Sequence, residues 1–274
     1  MLPALRGTCP VSARHPAPGS SVGSSGTSEE YVRHALMEKI LGAQFPCVAA
    51  KSALNKGNAR VGVHGRLGDA HNARGLCEAI YRFNAEFPRG TRNFFTYMAA
   101  FPDGLIEPRS TRAASEPASL EVQFEAALWE QLQHMHRVDK ALFEWDGRVS
   151  SDPDDPKFSF SIGGRAFFII GMHPDASRRA RWAPWPVLVF NAHEQFERLK
   201  LQGRYDVLKG AIRERDIALQ GGINPVLADF GDRSEARQYS GREVGQEWRC
   251  PFHHGHHRDQ QDHPDQNDHV ERRQ

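Results

Sequence analysis

Cysteine is scarce in this chain. Four occur in 274 residues, Cys9, Cys47, Cys77 and Cys250, with gaps of 38, 30 and 173 residues. Those gaps match neither a CxxC zinc clip nor the dense framework of a small secreted scaffold. Each cysteine reads first as a small buried apolar residue. A charge imbalance is also missing. Thirty-five Lys and Arg stand against 34 Asp and Glu, for a formal charge of +1. That removes the electrostatic case for binding nucleic acid or an anionic membrane surface. No apolar run approaches the ~20 residues needed to span a bilayer. The first 28 residues lack the apolar centre of a signal peptide, so a reducing cytoplasm is the expected compartment. Several motifs are absent too: GxGxxG, GxxxxGK[ST] and HExxH. Their absence excludes the familiar dinucleotide, P-loop and zincin readings.

What is present divides into three parts. Residues 1–27 are rich in Pro, Gly, Ser and Ala and read as a disordered leader. Residues 28–252 form the expected single domain. Residues 253–274 hold six of the 14 histidines and almost no apolar side chains, so a disordered tail is expected. Thr27-x-x-Glu30 matches a capping box before Val32, Leu36 and Ile40, predicting a helix over about 28–42 closed by Gly42. "ARVGVHG" and "NFFTYMAAF" read as strands on either side of a helix over about 71–84. The strongest helical stripe runs from Glu116 to Trp145 through Leu120, Phe124, Leu128, Leu132, Met135 and Leu142. His134 and His136 flank that stripe and point in different directions, which makes them poor joint ligands. "FSFSIGGRAFFII" reads as a hairpin turning at Gly163-Gly164, and "PWPVLVF" as a buried strand. Asn191 is the expected N-cap of the next helix, and a further helix covers about 204–219. After Gly221 the chain is long and loop-like, as functional loops are. Helices and strands mix without strict βαβ alternation, which favours an α+β fold: a mixed or antiparallel sheet packed by helices.

Three places can carry chemistry. His173 sits just past a buried strand with Arg178, Arg179 and Arg181 following, and arginines suit carboxylates or phosphates. His193 opens a helix beside Glu194. Cys47 follows Pro46 in "FPCVAAK" and needs a cation or a metal to become a reactive thiolate.

"FPCVAA", "HPDASRRAR", the long run from Val189 to Arg242 and "CPF" together resemble the YqcI/YcgG family over roughly residues 28–252. The likeness is nearest the branch that N-hydroxylates the guanidine of L-arginine in D-cycloserine biosynthesis, an antibiotic pathway. It implies non-covalent heme b, O2 or peroxide as oxidant, and Nω-hydroxy-L-arginine as product. An external reductase would supply electrons, because the sequence has no flavin or nicotinamide motif. His173, Cys47 and His193 are the alternative axial ligands. A thiolate favours O–O cleavage, which speaks for Cys47, while Arg178 and Arg181 near His173 would hold propionates. The substrate guanidinium needs a carboxylate, for which Glu194, Asp229 and Glu235 are candidates. The substrate carboxylate needs an arginine, Arg237 or Arg242. Two other readings stay open: a heme-binding or sensing module without turnover, and a non-heme metal protein.

Overall fold

The computed structural model describes residues 28–106 and 118–255. Helix α1 (Glu29–Leu41) buries Val32, Leu36 and Ile40, the predicted stripe. Its cap is Ser28, whose hydroxyl accepts from the Tyr31 N–H at 3.2 Å, while Thr27 lies outside the described residues. Gly42 ends the helix by an N–H to the Glu38 carbonyl rather than by a left-handed turn. Helix α2 (Val48–Asn55) follows with Cys47 at its N-cap, a helix the sequence pattern did not announce. Strand β1 (Ala59–Val63), helix α3 (His71–Glu86), strand β2 (Thr96–Ala100) and helix α4 (Leu120–Asp139) come next. Then come β3 (Phe160–Ile162), β4 (Arg165–Met172), β5 (Val187–Ala192), α5 (Glu194–Leu201) and α6 (Tyr205–Gln220).

The five strands form one mixed sheet in the order β1-β2-β5-β4-β3, with only β1 and β2 parallel. With the helices packed on it, this is the expected α+β class. The β3–β4 turn uses Gly163 and Gly164 at φ 62° and 67°, the left-handed pair a tight hairpin requires.

Alternation along the strands sends side chains to two faces. Phe167 and Ile169 of β4 and Leu188, Phe190 and Ala192 of β5 meet α3 and α4 in the larger core. Gly171 belongs to the same row. A Cβ there would stand 2.7 Å from the Phe124 ring, so helix α4 crosses at the one point where the strand has no side chain. On the other face Met98, Met172, Val187 and Val189 meet α1 and α2 in a smaller core. Among the described residues no helix is long and apolar enough to cross a membrane.

Two sequence expectations change. Helix α4 is shorter than predicted, and Leu120 and Leu142 are 51% and 67% exposed, so the buried stripe runs from Phe124 to Met135. Asn191 lies within β5, and His193 takes the N-cap position of α5 without a side-chain capping bond. The leader, and the tail from residue 256 on, lie outside the described residues. His136 is buried, and its Nε2 donates to the His254 carbonyl at 3.0 Å, so its role is structural.

Past the end of β1, the His64 ring packs tilted against Phe101 at 5.7 Å and sits 3.3 Å from the Tyr97 hydroxyl. Burial pushes its pKa down to about 4, against 6.5 when unfolded. Between those values the unfolded chain binds a proton that the native one does not, so stability falls as pH drops from 6.5 towards 4. We expect His64→Gln to flatten the loss by on the order of 1–3 kcal/mol. Urea unfolding at several pH values in this window checks it, and an unchanged slope refutes it.

Candidate functional site

The second face of the sheet is only partly covered. Beyond α2, the side chains of Phe168, Ile170, Val189 and Asn191 face a cavity of about 310 Å³. Helix α6 roofs it with Tyr205, Leu208, Lys209, Ile212, Arg213 and Asp216, a stripe at helical spacing. The only buried side chain of this 16-residue helix is Asp216. Leu208 and Ile212 therefore face the cavity without packing on the core. Polar contacts hold the roof: Arg178 donates to Asp216 Oδ2 at 2.6 Å, and Lys209 and the Tyr205 hydroxyl donate to Asp229 at 2.8 and 3.3 Å.

Strand parity sorts the three candidate ligands. His193 continues the row Val187, Val189, Asn191, and its N–H bonds the Ala166 carbonyl, so its ring reaches the cavity. His173 continues the other row, Phe167, Ile169, Gly171. Its ring stacks on Phe124 at 4.2 Å, away from the cavity, with Nε2 buried and without a hydrogen-bond partner. The shift of one residue decides the face.

Cys47 lines the cavity at the start of α2. Desolvation pushes its thiol pKa up. The backbone N–H groups of Ala50 and Ala49 draw it down, as do the charges of Arg181 and Lys51, although the sulfur makes no capping hydrogen bond. His193 and Cys47 lie toward opposite ends of β4. Phe168 and Met172 mark those ends on the cavity face, ~13 Å of strand apart.

The predicted arginines are already engaged. Arg178 binds Asp216 and the Gly222 carbonyl. Arg181 donates to the carbonyls of Gly171, Tyr239 and Gln238 at 3.1–3.2 Å, and its burial lowers its pKa to about 10. Both line the cavity, but they tie the loop after Gly221 to the sheet. Arg237 donates to the Trp248 and Gly245 carbonyls, and Arg242 pairs with Glu125, both outside the cavity. Glu194 is also outside it and is held by Arg165. Asp229 and Glu235 do line the cavity.

Glu235 is 5% exposed. Its Oε1 is 3.6 Å from His193 Nδ1, and its Oε2 accepts a long bond from the Tyr239 hydroxyl at 3.4 Å. The roof residues Asp216 and Arg213 were missed by sequence reasoning. Their helical spacing from Tyr205 was visible, but a mixed polar and apolar stripe also fits a solvated helix face. Arg213 makes no hydrogen bond or ion pair among the described residues, though its charge acts on Tyr205 and Asp229.

The donor set suits a flat apolar cofactor held through one sulfur. It offers a thiol at a helix start, apolar walls and Arg213 for an acidic group, while Lys200 and Lys209 are held by Glu197 and Asp229. No three His, Cys, Asp or Glu side chains are grouped to hold a bare metal ion among the described residues.

The family model described as YqcI/YcgG family matches residues 36–253. Neither a curated protein nor a solved structure matches the chain.

Proposed function

The chain belongs to the YqcI/YcgG family, and on that premise we propose that it is a heme-dependent N-oxygenase. It acts on the guanidine of L-arginine and yields Nω-hydroxy-L-arginine, an intermediate suited to antibiotic biosynthesis. The observation that carries this reading is the setting of Cys47: a cavity-lining sulfur at a helix start that makes no capping bond and feels the charges of Arg181 and Lys51. A helix start and nearby cations favour a thiolate, the form that ligates a metal.

Heme b bound there supplies oxygen activation, and a thiolate ligand favours O–O cleavage. The chain's own residues do the rest. Pro46 stiffens the approach to Cys47, and the small Ala49 and Ala50 leave room beside it. Phe168, Ile170, Leu208 and Ile212 keep water from the faces of the cofactor. Arg213, which makes no hydrogen bond or ion pair among the described residues, would hold an acidic group of it. His193 lines the same cavity beside Glu235. The oxidant is O2 with electrons from an external reductase, or peroxide. Cys47, Cys77 and Cys250 are all free, which fits a cytoplasmic protein.

The test is spectroscopic. Cys47→His is expected to move the ferrous–CO Soret band from the thiolate type to the histidine type while heme is retained. His193→Ala and His173→Ala leave the band in place. A histidine-type band in the parent protein that disappears in His193→Ala would transfer the ligand role to His193.

A further inference from the structure

We infer that Glu235 is the group that takes the substrate's guanidinium and so restricts the cavity to cationic guanidines. This rests on the reading of the cavity as the oxygenase site, and it names the residue that sets substrate class.

The argument starts from an unbalanced charge. A buried carboxylate is costly unless a cation or several hydrogen bonds compensate it. Glu235 lines the cavity and is 5% exposed, yet no lysine or arginine reaches it among the described residues. The Tyr239 hydroxyl gives it only a long bond, 3.4 Å, and that same hydroxyl also faces the Phe167 carbonyl at 3.3 Å. His193 Nδ1, buried and without a hydrogen-bond partner, stands 3.6 Å from Oε1, just beyond bonding range.

The other carboxylates of the cavity are accounted for. Asp229 accepts from Lys209 and Tyr205. Asp216 is bound by Arg178 through Oδ2, and its Oδ1 is shut off from the cavity. Glu197 is 44% exposed and paired with Lys200. Glu235 alone combines burial, access to the cavity and want of a lysine or arginine partner. A guanidinium presents two parallel N–H donors that match two carboxylate oxygens, and it brings the missing charge. A urea is neutral and brings no compensating charge, and end-on it has a carbonyl oxygen in place of one donor, so L-citrulline is rejected.

The experiment is calorimetric titration of L-arginine and L-citrulline into the full chain as purified, with heme content and melting temperature recorded. The parent protein is expected to bind L-arginine and reject L-citrulline. Glu235→Gln should weaken L-arginine by about 100-fold or more. Glu214→Gln, an exposed position on α6, should change it less than about 3-fold. If Glu235→Gln fails to fold, Glu235→Asp carries the test. It keeps the charge at shorter reach, and a clear loss of L-arginine affinity with L-citrulline still rejected is expected. Unchanged affinity in a folded Glu235 variant overturns the inference, as does equal loss in Glu214→Gln. Thiolate-ligated heme with no L-arginine binding also overturns it and leaves the heme assignment standing. Glu235-dependent L-arginine binding in a protein that takes up no heme does the reverse.

Discussion

Replacing Leu208 and Ile212 together with aspartate is expected to leave the protein folded and to abolish heme uptake. In an ordinary core, burying two carboxylates would unfold a domain of this size. Here both side chains hang from the roof of the cavity, and α6 buries only Asp216. Without cofactor, the aspartates stay in contact with water inside the cavity. The change in unfolding free energy should therefore be within about 1 kcal/mol. With cofactor, each carboxylate would be pressed against an apolar macrocycle without a partner, lowering hemin affinity by about 100-fold or more. Hemin titration followed by absorbance, together with melting of the cofactor-free protein, reads both effects. Parent-like hemin affinity would place the cofactor elsewhere. Unfolding of the cofactor-free variant would show that the α6 stripe packs against the core after all.

Much of the frame around this cavity was legible in the sequence. The stripes of α1, α3 and the centre of α4 stand at helical spacing, and "GG" marks the β3–β4 turn. What the sequence withheld follows from physical ambiguity. From Ala166 to Met172 both alternating rows are apolar, so parity alone does not say which row faces the cavity. That is why His173 stands among the candidate ligands in the sequence, although the strand turns it onto Phe124. Helix α2 has eight residues, too few for a clear period, and its N-cap is a cysteine that makes no capping bond. The loop after Gly221 has no periodicity because Arg178 and Arg181 hold its carbonyls in place of a sheet ladder. Arginines that look ready for a ligand can serve the backbone instead, and only their partners tell the two apart.

The same lesson gives the largest stability effect. Asp146→Ala is expected to lower unfolding free energy by about 3 kcal/mol. Asp146 is 4% exposed and accepts from Arg148 Nε at 2.9 Å, Arg89 at 3.3 Å, and the backbone N–H groups of Arg148 and Ala166 at 3.2 and 3.0 Å. The two arginines are each about half exposed, so once freed they turn to water and cost little. The Ala166 N–H cannot turn. It is left buried and unpaired at the start of β4, beside Arg165, which is itself 3% exposed and bound to the Phe87 carbonyl at 2.6 Å. Asp146→Asn keeps an acceptor for that N–H and should lose about half as much. Urea unfolding of both variants measures the difference. A loss below about 1 kcal/mol in Asp146→Ala would mean the N–H finds another acceptor. The network matters to the site because β4 pairs Phe167 with Ala192, and the Ala166 carbonyl receives the His193 N–H. Asp146 thereby fixes the strand end that sets His193 beside Glu235.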